Sequence, residues 1–183
     1  GPEVSHEHAA QPIAAMADYL TQGPGELQFP RLCREILLGR GPSRRVFPSR
    51  ELNPREILFP YACYTDEDIA QRVIYVEASR GCPFKCEFCL SALDKTSRAF
   101  DLDAFLAEMA RLYERGVRQF KFVDRTFNLA VESSCAILAF FLERLDEELF
   151  LHFEVIPDRL PERLKQLLQR FPEGSLKLEV GVQ

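Results

Sequence analysis

The segment that decides the fold spans residues 73–89 and reads VIYVEASRGCPFKCEFC. Its first part, Val73–Ser79, is rich in β-branched and aromatic side chains and predicts a β-strand. Directly after this strand come three cysteines, Cys82, Cys86 and Cys89. A strand that runs into a cysteine-rich loop indicates a metal site at one end of a sheet.

The chain after this loop alternates between helical and strand patterns. Apolar residues recur at helical spacing from Leu102 to Tyr113, with Asp101 as the predicted N-cap and Gly116 at the end. The other predicted elements are strand Val117–Asp124, helix Val131–Leu145, strand Leu149–Ile156, a helix that Pro161 opens, and strand Leu176–Gln183. This alternation predicts right-handed βαβ units and a parallel sheet. We therefore predict an α/β fold, a partial (β/α)8 barrel of four βα units that ends inside its fourth strand.

The first 72 residues predict a different organisation. Residues 1–40 contain two helical patterns, His6–Leu20 and Phe29–Leu38, separated by a Gly-Pro-Gly turn. Residues 41–72 contain scattered prolines among many charges and predict an extended linker. We therefore expect a helical segment at 1–40, a linker at 41–72 and the half barrel at 73–183.

Composition argues against several classes of function. Asp and Glu number 28 against 23 Lys and Arg, and the net charge of −5 disfavours a general nucleic-acid binder. No apolar run reaches the roughly 20 residues of a membrane-spanning helix, and no secretory signal opens the chain. Six cysteines, three of them in one loop, favour a metal site in a reducing compartment, so we expect a cytoplasmic protein.

Each predicted strand has one polar and one apolar face. In the last strand Lys177 and Glu179 alternate with leucine and valine, and in the third strand Glu154 has the parity of His152. Parallel strands that are covered by helices on both sides are normally apolar on both faces. We therefore expect a polar lumen, lined near the strand ends by Asp124, Glu154 and Glu179.

The cysteine spacing C-x3-C-x2-C places three thiolates on one loop. Three thiolates can hold three irons of a cubane cluster and leave the remaining iron without a protein ligand. An open metal position is typical of catalytic sites. A zinc site would need a fourth ligand, and a disulfide would leave one thiol unpaired. A redox pair of Cys86 and Cys89 would leave Cys82 without a role.

The other cysteines, Cys33, Cys63 and Cys135, have no such neighbours in the sequence. Cys135 lies among apolar residues of a predicted helix. We therefore expect it to be a core thiol.

The cysteine loop resembles the signature of the radical S-adenosylmethionine enzymes, in which an aromatic residue, here Phe88, precedes the third cysteine. The resemblance covers about residues 73–183. It implies a [4Fe-4S] cluster on Cys82, Cys86 and Cys89, with S-adenosylmethionine on the open iron. One electron would then cleave S-adenosylmethionine reductively and yield a 5′-deoxyadenosyl radical. It also implies a reductant such as flavodoxin or ferredoxin and a small-molecule or peptide substrate.

The same resemblance assigns roles to polar residues near the strand ends. Asp124 and Asn128 follow the second strand, where family members bind the methionyl amino group. Glu154, Glu179 and Gln183 lie where the family contacts the ribose or the carboxylate of the cofactor. Carboxylates suit ribose hydroxyls because they accept bidentate hydrogen bonds. An ion pair with a lysine or arginine of the barrel wall is the alternative for Glu154.

Residues 75–82 and 124–128 resemble the subgroup of this family that carries a cobalamin-binding Rossmann-like domain before the barrel. This resemblance implies cobalamin as a further cofactor, bound by a domain upstream of this chain. Residues 1–40 are similar to the closing segment of such a domain. The implied reaction is a methylation at an unactivated carbon or a radical rearrangement.

Two alternatives stay open at this point. A methylthiotransferase that acts on tRNA or protein shares the cysteine loop, but Cys33 and Cys63 are too few and too isolated for its additional cluster domain. Its nucleic-acid-binding members also favour a basic surface. A structural metal-binding interaction domain would hold zinc or a cluster without catalysis.

Overall fold

The computed structural model describes residues 2–5, 7–48, 53–54, 57–87, 89 and 96–181. The chain divides into two compact units, Gly1–Ile57 and Leu58–Gln183. In the described residues, we find no helix with both the length and the apolar character needed to cross a membrane.

The first unit consists of short elements. In chain order they are α1 (Pro2–Ser5), a 3-10 turn (His8–Ala10), α2 (Pro12–Met16), β1 (Leu20–Thr21), α3 (Gln28–Leu37) and β2 (Val46–Phe47). β1 and β2 pair in parallel. The predicted helix Phe29–Leu38 is confirmed as α3, with small differences at its ends. The predicted single helix His6–Leu20, of which His6 lies outside the described residues, is wrong. Pro12 begins a new helix there because the residue before a proline favours extended backbone, as Gln11 does.

A short helix interrupts the predicted linker. The second unit begins with a 3-10 turn, Pro60–Cys63, followed by α4 (Asp66–Gln71). The Oγ1 atom of Thr65 accepts a hydrogen bond from the Asp68 N–H at 3.1 Å, and the Asp68 carboxylate accepts one from the Thr65 N–H at 2.9 Å. This capping box stabilises the first turn of α4. The expectation of extended chain through residue 72 is therefore corrected.

A four-stranded parallel sheet forms the centre of the second unit. The strands and α-helices after α4 are β3 (Ile74–Val76), β4 (Ser79–Gly81), β5 (Ser97–Ala99), α5 (Leu102–Glu114), β6 (Gln119–Phe122), α6 (Val131–Leu142), β7 (Phe150–Val155), α7 (Glu162–Leu168) and β8 (Leu176–Val180). The strand order is β3-β6-β7-β8, and each neighbouring pair is parallel. The predicted α/β class and the alternation of strands and helices are confirmed. The continuation of this sheet into a barrel stays a prediction.

The helix signals of the sequence also hold. The Asp101 carboxylate accepts a hydrogen bond from the Ala104 N–H at 2.9 Å and caps α5, as predicted. Gly116 follows α5 with φ +97°, a conformation that favours glycine. Pro161 is the N-cap of α7 and not its first residue.

One face of the sheet is the hydrophobic core. A row across three strands is completely buried and consists of Ile74, Phe120 and Leu151. Phe120 packs on Phe141 of α6, with 5.0 Å between ring centroids. Adjacent residues of a strand point to opposite faces, so Tyr75 and Lys121 lie on the other face. Tyr75 is 55% exposed there, and the predicted polar face is confirmed at these positions.

Two tyrosines cover the free edge of β3. The Tyr61 hydroxyl accepts a hydrogen bond from the Glu77 N–H at 2.8 Å, and the Tyr64 hydroxyl donates one to the Tyr75 carbonyl at 2.9 Å. Burial raises the pKa of Tyr61 well above its usual range, so its hydroxyl stays protonated. These hydroxyls satisfy backbone groups that an edge strand otherwise leaves unpaired.

Candidate cluster and cofactor site

An antiparallel stem closes the cysteine loop. β4 and β5 pair with Ser79 opposite Ala99 and Gly81 opposite Ser97. The stem encloses residues 82–96, among them all three cysteines of the motif. Sequence reasoning extended the first strand to Ser79 and missed β5. Phe88 and residues 90–95 of this loop lie outside the described residues.

At Gly81 the two strands of the stem lie very close together. Its φ is +91°, and a Cβ atom there would lie 1.9 Å from the carbonyl oxygen of Thr96. Any side chain would therefore overlap the opposite backbone, in addition to the strain of positive φ. The residue directly before Cys82 must be glycine for the loop to close in this way.

None of the three cysteines of the loop takes part in a disulfide. Cys82 and Cys89 are half-buried and Cys86 is exposed. The Cys89 N–H donates a hydrogen bond to the Cys86 carbonyl at 3.1 Å, so the chain turns tightly between these two residues. Such a donor set fits an iron–sulfur cluster, because soft thiolate ligands select iron–sulfur clusters and zinc. Within the ranges the structure describes, no group of three His, Cys, Asp or Glu side chains is arranged as a metal site.

Thr126 lies beside the first cysteine of the loop. Its Oγ1 atom is 3.8 Å from the Cys82 sulfur, within hydrogen-bonding range for sulfur. The same hydroxyl donates a hydrogen bond to the Arg125 carbonyl at 2.7 Å. Because the hydroxyl has a single proton, Cys82 donates to Thr126 in this arrangement.

The remaining cysteines lie elsewhere in the fold. Cys135 of α6 is buried, as predicted for a core thiol, and burial raises the pKa of its thiol. Cys63 is exposed and Cys33 is half-buried.

Asp124 ties the end of β6 to the base of the loop. It is 2% exposed; its carboxylate accepts hydrogen bonds from the Ala78 N–H at 3.0 Å and the Ser79 hydroxyl at 2.6 Å. Burial raises the pKa of Asp124 to about 6, although both hydrogen bonds favour the ionised form. The expectation that Asp124 shares the polar face of Glu154 is wrong. Its parity is that of Phe122, so it points to the buried side.

The side chain of Asn128 holds the chain after β7 in place through hydrogen bonds. It is completely buried, and its side-chain NH2 donates to the carbonyls of Ile156 and Arg159 at 2.7 and 2.6 Å. Its side-chain oxygen accepts from the Ile156 N–H at 2.9 Å. Both amide hydrogens are therefore used to hold the chain after β7. The structure does not present this amide to a ligand, contrary to the sequence-based expectation.

A polar pocket of about 630 Å³ opens on the polar face of the sheet beside the stem. Its lining residues come from the strands and from the turns that follow them: Tyr75, Glu77, Ser79, Arg80, Gly81, Lys121, Val123, Arg125 and Glu154. In a parallel sheet, ligands bind outside the carboxyl ends of the strands. The pocket therefore lies where this fold builds ligand sites.

The charged side chains around this pocket differ in whether they form an ion pair within the protein. Arg80 forms a two-point ion pair with Glu77, at 3.0 and 2.7 Å. By contrast, Lys121, Arg125 and Glu154 form no ion pair with any described residue. The pocket thus offers two cations and one carboxylate to a ligand.

Glu154 and Glu179 have the predicted parity but different surroundings. Glu154 lines the pocket, whereas Glu179 is not among the lining residues. The Glu179 carboxylate lies 3.0 Å from the Nε2 atom of His152. Gln183, the last predicted cofactor residue, lies outside the described residues.

Comparisons with known proteins find similarity both in sequence and in fold. No family model matches the chain. It is 32% identical over 135 residues to an uncharacterised methyltransferase of Pyrococcus horikoshii, a match that covers 61% of this chain and 29% of that protein. Its structure is similar to that of TsrM from Kitasatospora setae, a radical S-adenosylmethionine methyltransferase solved with cobalamin and a [4Fe-4S] cluster bound. The TM-score is 0.51 at 20% identity, over 61% of this chain and 21% of TsrM.

The chain therefore spans less than a third of either protein. At this level of identity the likeness to TsrM concerns the fold. Over 61% of its length, this chain shares the fold of a part of TsrM.

Proposed function

We propose that this chain is part of a radical S-adenosylmethionine enzyme whose [4Fe-4S] cluster is bound by Cys82, Cys86 and Cys89. The observation that carries the proposal is a loop with three cysteines outside any disulfide, closed by a stem and placed beside a polar pocket at the strand ends. The cluster, when bound, supplies the single electron that cleaves S-adenosylmethionine. The protein's own residues bind and orient that cofactor and exclude water.

The charged side chains of the pocket are complementary to the carboxylate, ammonium and ribose groups of S-adenosylmethionine. Lys121 and Arg125 are free to bind a carboxylate, and Arg125 can do so with two parallel hydrogen bonds. The Glu154 carboxylate is free to accept hydrogen bonds from the ribose hydroxyls or from the ammonium group. Asp124 and Asn128 then act as supports of this site and not as its ligands.

We further propose methyl transfer as the reaction, with cobalamin as a second cofactor. The relative from Pyrococcus horikoshii is described as a methyltransferase, and the TsrM structure contains cobalamin. In this proposal residues 1–40 close a cobalamin-binding domain, residues 41–72 link it to the barrel, and residues 73–183 begin the barrel. The enzyme works in the cytoplasm with a reductant such as flavodoxin or ferredoxin, on a small-molecule or peptide substrate.

Anaerobic reconstitution tests the proposal. Incubation with iron and sulfide should yield one [4Fe-4S] cluster per chain, measured by iron and sulfide analysis and by its absorption and electron paramagnetic resonance spectra. Replacement of Cys82, Cys86 or Cys89 by alanine should abolish the cluster. Cys63→Ala, which removes an exposed thiol outside the loop, and Cys135→Ala should retain it.

The same experiment separates the alternatives. Tightly bound zinc at one ion per chain, with no uptake of iron, would instead support a structural metal-binding domain. Incubation of the reconstituted protein with S-adenosylmethionine and a reductant, followed by product analysis, then tests the cleavage reaction. A methylthiotransferase would require a second cluster, so an iron content of eight per full-length protein would favour that alternative.

A further inference from the structure

The first unit contains a basic segment in an otherwise acidic chain. Residues 28–48 include five arginines and one acidic residue, Glu35, a net charge of +4, whereas the whole chain has −5. The segment covers α3, the turn after it and β2. Clustered arginine on one part of a small unit is the electrostatic pattern of an anion-binding surface.

Three of these arginines line a pocket of about 570 Å³ within this unit. Arg31 projects from α3, and Arg40 and Arg44 come from the turn that follows. Gln28 and Glu35 lie three and four residues from Arg31 on the same side of the helix, and both line the same pocket. The pocket thus lies between one face of α3 and the chain that leads into β2.

The pocket also has an apolar wall. Leu32 is buried, and Leu27, Pro42 and Phe47 line the pocket as well. The Arg44 guanidinium lies over the Phe47 ring, 4.7 Å from its centroid. A planar or apolar group can therefore pack beside the cations.

The arginines of this pocket have no anionic partner among the described residues. The side chains of Arg31, Arg40 and Arg44 make no hydrogen bond or ion pair there, and the Arg44 guanidinium lies over the Phe47 ring. Their neighbour Arg45 is different, because its guanidinium donates to the carbonyls of Ala14 and Ala17 and supports the fold. Glu35, the one carboxylate among the lining residues, forms no ion pair with them, and the three guanidinium groups leave an excess of positive charge around the cavity that an anion would neutralise.

We propose that this arginine pocket, formed by Arg31, Arg40 and Arg44, binds a diphosphate-bearing ligand whose apolar or aromatic part packs on Phe47. Guanidinium groups bind phosphate oxygens with two parallel hydrogen bonds, which makes arginine the preferred residue for this recognition. Two linked phosphates provide enough oxygens for three arginines. The site lies within residues 27–48 and does not depend on the cluster or on the proposed reaction.

Calorimetric titration of the 183-residue chain tests this inference, with inorganic pyrophosphate as the first probe at low ionic strength. Arg31→Gln and Arg44→Gln should each weaken binding at least tenfold, about 1.4 kcal/mol. Arg34→Gln is the matched control, because Arg34 lies on the same helix and makes no ion pair with a described residue but does not line the pocket. It should change the affinity less than twofold.

Adenosine diphosphate is the second probe and tests the apolar wall. It should bind more tightly than pyrophosphate, and Phe47→Ala should remove that advantage. Absence of pyrophosphate binding, or equal weakening by Arg34→Gln and Arg31→Gln, would overturn the proposed site. If adenosine diphosphate binds no more tightly than pyrophosphate, the assignment of Phe47 is wrong.

Discussion

The Oδ1 atom of Asp124 lies 2.6 Å from the Ser79 hydroxyl oxygen, and this contact joins the end of β6 to the first residue of the stem. The other carboxylate oxygen accepts from the Ala78 N–H. The base of the cysteine loop is thereby held by a neighbouring strand of the sheet as well as by its own strand pairing. A loop supported in this way can keep its cysteines close to the polar pocket, since a site is more accurately positioned when its supports are rigid.

Gly81→Ala is expected to disrupt the stem. The added Cβ would lie 1.9 Å from the Thr96 carbonyl oxygen, so we expect a loss of about 3 kcal/mol or more in the free energy of unfolding and failure to assemble a cluster. Gly174→Ala is the matched control, because Gly174 also has positive φ but has no atom near the added Cβ. Urea unfolding should show a loss of only about 1 kcal/mol for Gly174→Ala. Equal losses would contradict the close approach.

Asn128→Ala is expected to destabilise the fold by about 3 kcal/mol, because it removes three hydrogen bonds between a completely buried amide and the backbone of Ile156 and Arg159. Thermal or urea unfolding of the chain without cofactors measures this loss. Gln71→Ala, at the exposed end of α4, serves as the neutral control. An unchanged unfolding curve for Asn128→Ala would show that the amide is not an anchor.

The contribution of Asp124 to the free energy of unfolding should decrease as the pH rises, the opposite of the usual effect of a carboxylate. Its pKa is raised to about 6 in the folded protein from an ordinary value of 3.8, so between these values the folded state holds a proton that the unfolded chain has released. The contribution of Asp124 to stability is therefore greatest below about pH 4 and falls as the pH rises to about 6. A shift of roughly two units corresponds to about 3 kcal/mol.

The variant Asp124→Asn isolates this effect from all other titrating groups, including the nearby Glu77. The free energy of unfolding of the natural chain, minus that of Asp124→Asn, should decrease from pH 4 to pH 7. A difference that stays constant over this range would contradict the raised pKa.

Thr126→Val should lower the reduction potential of a cluster on Cys82. Once the sulfur is a deprotonated ligand, it can no longer donate to Thr126, and the threonine hydroxyl can turn and donate to the sulfur at the observed 3.8 Å. A hydrogen bond to a ligand sulfur stabilises the reduced cluster. Redox titration followed by electron paramagnetic resonance measures the potential.

Thr126→Ser keeps the hydroxyl and should leave the potential close to that of the natural chain. If Thr126→Val and Thr126→Ser have the same potential, the hydroxyl does not contact the ligand sulfur in the loaded protein.

Much of the fold follows from local patterns. The α5 helix with its Asp101 cap, and the later strands and helices, were predictable because each combines hydrophobic periodicity with start and stop signals in a short stretch. The capping box of Thr65 and Asp68 was equally local and was missed only because the surrounding prolines suggested a linker. The cysteine loop was also predictable, since three thiols at short spacing are typical of a metal site.

The sequence by itself determined the parallel α/β class, the polar and apolar faces of the strands, and the cysteines that are candidates for a cluster. The tertiary structure alone decided how the loop is held. The stem of β4 and β5 has only three residues on each side, and its central pair, Arg80 and Arg98, is 18 residues apart in the sequence, so no periodicity reveals it. The tertiary structure also decided the roles of Asp124 and Asn128, because a polar side chain that follows a strand can bind either a ligand or the backbone. Whether such a side chain binds a ligand or the backbone depends on the hydrogen-bond partners that folding places beside it.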